Sequence, residues 1–199
     1  MSWRPVAARA ASLLLRYPDE QVMAALPTLS EALTEVPREV GDRLRPVAEY
    51  RRGTDLTALA AEYVELFDFR RRCCLHLTYY SCGDTRKRGE ALVGFTAAYK
   101  AAGLEVVGGE LADYLPAVLD LAAVDDSGWG LLRDNRAALE LLSAALDGSV
   151  YANVVDTVRE LLPPARRSDH AAAVELARTG PPTEQVGLEP YRLAGRPAS

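Results

Sequence analysis

Apolar residues recur at three- and four-residue steps along most of this chain, and that period constrains the fold more than any other feature. In the first twenty residues the apolar positions fall on one face of a helix. No alternating apolar and polar run bounded by turn signals predicts a strand. We therefore predict an all-α fold, a single globular bundle of roughly eight to ten helices. The first apolar face comprises Trp3, Val6, Ala7, Ala10, Leu13, Leu14 and Tyr17.

Prolines, glycines and polar runs divide the rest of the chain. Pro27 lies inside the second apolar stripe and predicts a kink or a split there. Residues 110–124 predict one helix, residues 125–128 a loop, and residues 129–146 one long, regular helix. After Gly180 the pattern fades, and dense Pro and Gly predict a loose tail.

The bulk properties exclude several classes of protein. The chain has 199 residues, 49% of them hydrophobic, which is enough for one domain with a sizeable core. A net charge of −5 disfavours nucleic-acid binding. No apolar run approaches the roughly 20 residues that span a bilayer. Arg16 interrupts the first apolar patch, so the N-terminus is better interpreted as an amphipathic helix than as a signal peptide.

The three cysteines do not form a disulfide pattern, because their number is odd and two of them are adjacent. We therefore expect a cytoplasmic protein with reduced thiols and no stable membrane association. Together with His76 the cysteines are of the right type for zinc, but Cys73 and Cys74 would point about 100° apart on a helix. A thiol switch would need exposed cysteines beside the arginines. We expect no metal and no cofactor, and a thiol- or metal-based redox sensor is the alternative function.

The segment FDFRRRCCLHLTYYSCGDTRKRG, residues 67–89, holds these cysteines together with two basic clusters. Neither histidine can be placed with a nucleophile and a carboxylate in one pocket, so we predict no enzyme activity. Basic residues interleaved with Tyr79 and Tyr80 would suit a nucleic acid, but the acidic balance of the chain opposes this. Two interpretations stay open on the residues alone. The segment is a partner-binding surface rich in Arg and Tyr, or it is a solvated charged face over a core.

A longer match to a known family bears on the choice between these two interpretations. The run YVELFDFRRRCCLHLTYYSCGDTRKRGEAL, residues 63–92, closely resembles the signature of the NarJ-type assembly chaperones of respiratory nitrate reductase. These belong to the wider family of redox-enzyme maturation chaperones. GGELADYLPAVLDLAA, residues 108–123, resembles a second family segment, with Asp-Leu at 120–121 in place of Glu-Phe. LLLRYPDE is similar to the family's opening helix, and LEPYRLAG, residues 188–195, is only approximately similar to its C-terminal motif.

The resemblance implies an all-α fold of the TorD/NarJ-like type and a protein that is not an enzyme. Residues 1–165 would form the helical chaperone domain, and residues 166–199 a short helix and a loosely structured C-terminal tail. Family members bind the apo catalytic (alpha) subunit of nitrate reductase in the cytoplasm, in part through its N-terminal tail, a remnant of a twin-arginine leader. They keep it competent for molybdenum cofactor insertion before it docks on the membrane subunit. We expect that subunit as the partner, held by its tail and by a second surface.

An apolar groove with an acidic rim would suit such a basic, partly apolar tail. In the family an Asp-His pair at the equivalent turn is tied to leader recognition. Here the match is Asp113-Tyr114, so the aspartate carries over and the histidine does not. Glu110, Asp113 and Asp120 are expected to supply negative charge. The predicted partner-binding residues are Glu110, Leu111, Asp113, Tyr114, Leu115, Pro116, Tyr79, Tyr80, Asp84, Arg70 and Arg71.

Further expectations concern the environment of these residues. Tyr114, Leu115 and Pro116 would offer apolar surface, and Tyr79-Tyr80 would shape the rim of the groove. Asp84 would cap the following helix. The arginines at 70–72 would pair with Asp68 or Asp84, or face another surface of the large subunit. Replacing Asp113 or Tyr114 by alanine is expected to weaken binding and to leave the fold intact.

Overall fold

Helices make up all regular secondary structure between residues 3 and 182, the part of the chain that the computed structural model describes. The predicted all-α class is confirmed, although these residues form eleven α-helices rather than eight to ten. In chain order they are α1 (Arg4–Leu15), α2 (Glu20–Ala32), α3 (Arg38–Gly53), α4 (Leu56–Tyr63), α5 (Leu77–Cys82), α6 (Arg86–Ala101), α7 (Leu115–Ala122), α8 (Asp126–Asp134), α9 (Arg136–Ala145), α10 (Ala152–Leu161) and α11 (Arg167–Thr179).

Helix α1 lies at the centre of the bundle and packs against α3, α7 and α10. Part of its predicted apolar face is buried, including Ala7, Ala10 and Leu14, whereas Tyr17 is 46% exposed. The small alanine side chains let neighbouring helices approach closely. Two large side chains, Leu14 and Leu15, are fully buried at its C-terminal end. The core therefore forms around the first helix that the sequence predicts.

Pro27 does not split the second helix, since α2 is continuous from Glu20 to Ala32. A proline inside a helix removes one backbone hydrogen bond and clashes with the preceding turn. Leu26 and Leu29, on either side of Pro27, are both buried in the core. Burial of both halves of the stripe stabilises one helix across the proline.

The predicted helix over residues 129–146 is wrong in its extent. Asp125 is the N-cap of α8, and its carboxylate accepts a hydrogen bond from the N–H of Ser127, so residues 126–128 are helical rather than a loop. Asn135, at φ −104° and ψ 25°, separates α8 from α9. Gly128 permits this arrangement, because a Cβ there would lie 2.2 Å from the backbone nitrogen of Ala122 in α7.

Residues 110–114 are not helical, although the sequence predicts one helix from 110 to 124. Pro116 lies in the first turn of α7, where its ring is tolerated. If the helix began at residue 110, the proline would lie in its interior, would lack a hydrogen bond to the carbonyl of Ala112 and would clash with it. Tyr114 instead forms an isolated antiparallel bridge with His76. The N–H of Leu77 donates to the carbonyl of Asp113 at 3.0 Å, and the N–H of Leu115 donates to the carbonyl of Leu75 at 2.8 Å.

The segment between α4 and α5 combines a π-turn at Val64–Asp68 with a 3-10 turn at Arg71–Cys73. The side chains of Phe67 and Cys73 are buried in the core, and they hold the segment against it. The bridge between His76 and Tyr114 therefore joins the two stretches that carry the sequence resemblance.

The last described helix, α11, packs against α9 and contains no buried residue. The division at residue 165 stays a prediction. Residues 183–199, with the LEPYRLAG segment, lie outside the described residues.

Candidate functional site

A groove of about 460 Å³ runs between α1, the start of α2, the end of α6, α7 and the loop at residues 104–113, called here the groove loop. A second hollow of about 380 Å³ lies on the other side of the same loop. Both volumes fall within the range that is usual for ligand pockets. Two of the predicted site residues, Glu110 and Tyr114, line the groove, and Leu111 lines the second hollow.

Large apolar side chains are exposed along both hollows. Tyr17 is 46% exposed, and Val124 is 63% exposed at the far end of the groove. Leu104, Val107 and Leu111 lie on the intervening loop at 38%, 81% and 42% exposure. Exposed apolar side chains that cluster in a concave site mark a binding surface rather than ordinary scatter.

The loop that divides the hollows owes its path to two consecutive glycines. Gly108 and Gly109 have φ values of 80° and 78°, a region that costs other residues free energy. The loop ends at Asp113, whose backbone and side chain are both bound to the first turn of α5. One wall of the groove is therefore fixed to the cysteine-containing segment.

The charge of the groove is acidic. Asp19, Glu105 and Glu110 line it, and within residues 3–182 neither glutamate has a cation within 4.0 Å. Asp120 also lines it, but its carboxylate forms ion pairs with Arg9 and Arg16. The expectation that Asp120 presents a free charge is therefore wrong. Glu110 does face the groove, and Glu105 adds a charge that the sequence did not single out.

Asp113 is fully buried, which corrects the expectation that it presents its charge at the surface. One carboxylate oxygen accepts hydrogen bonds from the Thr78 backbone N–H at 3.1 Å and from the Thr78 hydroxyl at 2.5 Å. The other lies 3.0 Å from Nδ1 of His76, and a guanidinium nitrogen of Arg88 lies 3.7 Å from the oxygen that Thr78 binds. Asp113 thus joins the groove loop to α5 and α6.

The pKa of Asp113 reflects two opposed effects. Burial raises the pKa of the carboxyl, but the hydrogen bonds from His76 and Thr78 and the positive charges nearby outweigh burial and hold it below its ordinary value. The carboxylate is therefore ionised within the protein. An aspartate and a histidine do meet at this turn. The histidine is His76, which lies in the segment of residues 63–92 and not at position 114.

Other predicted residues also lie inside the protein. Leu115 and Pro116 are buried in α7 and offer no apolar surface. Tyr79 and Tyr80 are 8% and 4% exposed, and Tyr80 donates its hydroxyl hydrogen to the carbonyls of Arg72 and Cys74. The sequence could not show that the two tyrosines are buried, because aromatic side chains occur both in binding sites and in cores.

Tyr114 is half-buried between the groove and a cluster beneath it. Its hydroxyl lies 2.9 Å from that of Tyr63, which donates to the carbonyl of Leu15. Arg51, fully buried, donates to the carbonyls of Leu14 and Arg16. These side chains satisfy the carbonyls at the C-terminus of α1, which have no partner within the helix. Burial lowers the pKa of Arg51 and raises that of Tyr63.

The arginines at 70–72 lie on the surface, and Asp84 does as well. Their expected pairing with Asp68 or Asp84 is wrong for the described residues, where none of the three has a carboxylate within 4.0 Å. Asp84 pairs with Arg88 at 3.4 Å instead. It does not cap α6, whose N-cap is Thr85 without a side-chain cap bond.

The cysteines do not assemble a site in this structure. Cys73 is buried and Cys74 is half-buried, and burial raises the pKa of both thiols, which disfavours the reactive thiolate. Among residues 3–182 no three His, Cys, Asp or Glu side chains are arranged to hold a metal ion. In the same span no helix is long and apolar enough to cross a membrane.

Comparisons with known proteins agree on one family. Residues 18–153 match the sequence pattern of the nitrate reductase delta subunit family. The chain is 38% identical over 161 residues to the nitrate reductase-like protein NarX of Mycobacterium tuberculosis; the match covers 78% of this chain but only 24% of that protein. It is 30% identical over 186 residues to the probable nitrate reductase molybdenum cofactor assembly chaperone NarJ of Bacillus subtilis, covering 93% and 92% of the two chains.

A solved structure agrees with the fold. The crystal structure of a putative redox enzyme maturation protein from Archaeoglobus fulgidus superposes with a TM-score of 0.58 at 21% sequence identity. The superposition covers 79% of this chain and 92% of the other. At this identity the likeness concerns the fold alone.

Proposed function

The chain belongs to the nitrate reductase delta subunit family, and we propose that it is an assembly chaperone for the catalytic subunit of a respiratory nitrate reductase. In this proposal it binds the apo subunit in the cytoplasm and supports insertion of the molybdenum cofactor. It acts before the subunit docks on the membrane, and it does not catalyse a reaction. A Bacillus subtilis relative that matches along nearly its whole length is named as a probable nitrate reductase molybdenum cofactor assembly chaperone.

The groove is the proposed site for the N-terminal tail of that subunit. A leader-like tail is basic and partly apolar, and it can fold into a helix when it binds. Exposed apolar side chains along the groove would bury the apolar positions of the tail. Glu105 and Glu110 would attract its basic residues, since neither has a cation partner among the described residues.

Asp113 has a positioning role in this proposal rather than a direct one. It holds the end of the groove loop against Thr78 and His76, so the loop keeps its place when the groove is empty. Tyr114, half-buried and lining the groove, would contact the tail. A preorganised wall reduces the entropy lost when a flexible peptide binds.

One groove combines exposed apolar side chains with glutamates that have no cation partner among the described residues, and this observation carries the proposal. Titration calorimetry with a synthetic peptide of the cognate subunit's N-terminus tests it. We expect saturable binding that weakens as salt is added, because the charges at the rim are exposed to solvent. Absence of heat and of saturation at millimolar peptide would overturn the assignment of the groove.

A further inference from the structure

The surface formed by Phe69, Arg70, Arg71 and Arg72, called here the arginine surface, is separate from the groove. None of the four residues lines either hollow. All three arginines are exposed, and Phe69 is 72% exposed. A basic tail would be repelled by this surface, so the groove's ligand does not account for it.

The arginine surface places three consecutive exposed arginines side by side, and no carboxylate of the described residues offsets their charge. Elsewhere on the described chain, arginines commonly have carboxylate partners: Arg43 pairs with Glu160, Arg38 with Asp42, and Arg159 with Glu140. The arginines at 70–72 have none within 4.0 Å among residues 3–182, although acids outnumber bases in the sequence by 28 to 23.

The backbone beneath the arginine surface is firmly held. The Arg72 carbonyl accepts a hydrogen bond from the Tyr80 hydroxyl at 2.8 Å, and the Arg70 carbonyl accepts one from the N–H of Cys73 at 2.7 Å. Phe67 and Cys73, buried on either side, fix both ends. An ordered backbone that displays arginines beside an exposed aromatic ring has the composition of a protein–protein hot spot.

We propose that the arginine surface binds an acidic segment of the partner protein, at the same time as the groove holds the basic tail. The three guanidinium groups, which have no carboxylate partner within residues 3–182, complement carboxylates, and each can bind one with two parallel hydrogen bonds. Phe69 supplies the apolar centre of the contact. The identity of the partner, the apo catalytic subunit, rests on the proposed function; the chemistry of the surface does not.

The test measures binding of the full-length apo catalytic subunit while saturating free tail peptide occupies the groove. The variant is R70E/R71E/R72E, and the matched control is R38E/R52E/R133E, which changes the net charge equally at exposed positions elsewhere. We expect the first to weaken the residual binding at least about tenfold and the control less than about twofold, because the loss is local. The salt dependence of binding should decrease only in the first.

A second variant, Phe69→Ala, tests the arginine surface without changing any charge. We expect it to weaken the residual binding at least about fivefold, since buried aromatic anchors dominate hot spots. Val174→Ala, at 69% exposure on α11, is the control and should have no effect. Circular dichroism of each variant checks the fold, which exposed substitutions should preserve.

The outcomes separate this inference from the proposed function. Equal losses in the two triple variants, or no loss in either, overturn the inference. If the tail peptide binds but the subunit no longer binds once that peptide saturates the groove, only the inference is overturned. If the subunit does not bind in any condition, the proposed function is overturned as well. Binding to phosphatidylserine vesicles is measured for the wild type and for R70E/R71E/R72E. If only the wild type binds the vesicles and both bind the subunit equally well, the arginine surface binds anionic lipid instead.

Discussion

Asp113 and Thr78, 35 residues apart, share two hydrogen bonds on a single carboxylate oxygen, one from the backbone and one from the hydroxyl of the threonine. The backbone bond satisfies an N–H in the first turn of α5, where a helix has no internal acceptor. This contact holds the groove loop to the first turn of α5. Its loss would therefore affect both stability and binding.

Replacing Asp113 by alanine should destabilise the fold by about 3 kcal/mol, because buried donors from Thr78 and the side chain of Arg88 lose their partner. This reverses the expectation from the sequence that the fold would be unaffected. Urea denaturation followed by circular dichroism measures it. Asp84→Ala, at an exposed carboxylate, is the control and should cost less than about 1 kcal/mol. A loss no larger in the Asp113 variant would contradict the buried role.

The same carboxylate predicts a dependence of stability on pH. The pKa of Asp113 is lower in the folded protein than the value of about 3.9 that is usual for an unfolded chain. Between the two pKa values the unfolded state binds more protons, so this contribution is complete above the unfolded pKa and is lost as pH falls through the folded pKa. The free-energy difference between wild type and Asp113→Asn should therefore shrink in acid. Parallel profiles from pH 7 to pH 3 would refute this.

Arg51 should be essential for stability although it lines neither hollow. Arg51→Met leaves the buried carbonyls of Leu14 and Arg16 without a donor, which should cost about 2 to 3 kcal/mol. Arg52 is exposed, and Arg52→Met is the matched control with an expected change below about 0.5 kcal/mol. Thermal unfolding of both variants measures the difference. Equal melting temperatures would argue against the capping role of Arg51.

Two glycines in α8 should respond in opposite directions to alanine. At Gly128 a Cβ would lie 2.2 Å from backbone of α7, so Gly128→Ala should destabilise by about 2 kcal/mol. At Gly130 the nearest atom, at 3.8 Å, belongs to the flexible side chain of Arg133, so Gly130→Ala should stabilise by about 0.5 to 1 kcal/mol. Differential scanning calorimetry of the pair tests how closely α7 and α8 pack. Destabilisation of equal size at both positions would be inconsistent with this packing.

The charge of the groove should govern affinity for the tail peptide. The variant E105K/E110K should weaken peptide binding by at least about tenfold, because it replaces attraction at the rim by repulsion. Glu35 and Glu39 are exposed and line neither hollow, so E35K/E39K carries the same change in net charge and is the control. Calorimetry at two salt concentrations separates local from overall charge effects. An equal loss in both variants would show that only net charge matters.

The sequence predicted the helical class, but it misjudged several individual residues. The period of the apolar residues identified α1 correctly, because one apolar face is enough to specify a helix on a core. It did not separate α8 from α9, since the apolar stripe continues across Asn135. Glu105 was missed because a single glutamate in a loop has no signature until the loop is placed beside a groove.

Local sequence therefore determined which segments are helical and which family the chain resembles. Only the tertiary structure decided which polar groups are exposed. Asp113 appears as a surface acid in sequence, yet the bridge between His76 and Tyr114 brings it against Thr78 and buries it. Asp120 loses its free charge to Arg9 and Arg16 of α1 in the same way. Burial and pairing depend on contacts between residues distant in the chain, and no local pattern encodes those contacts.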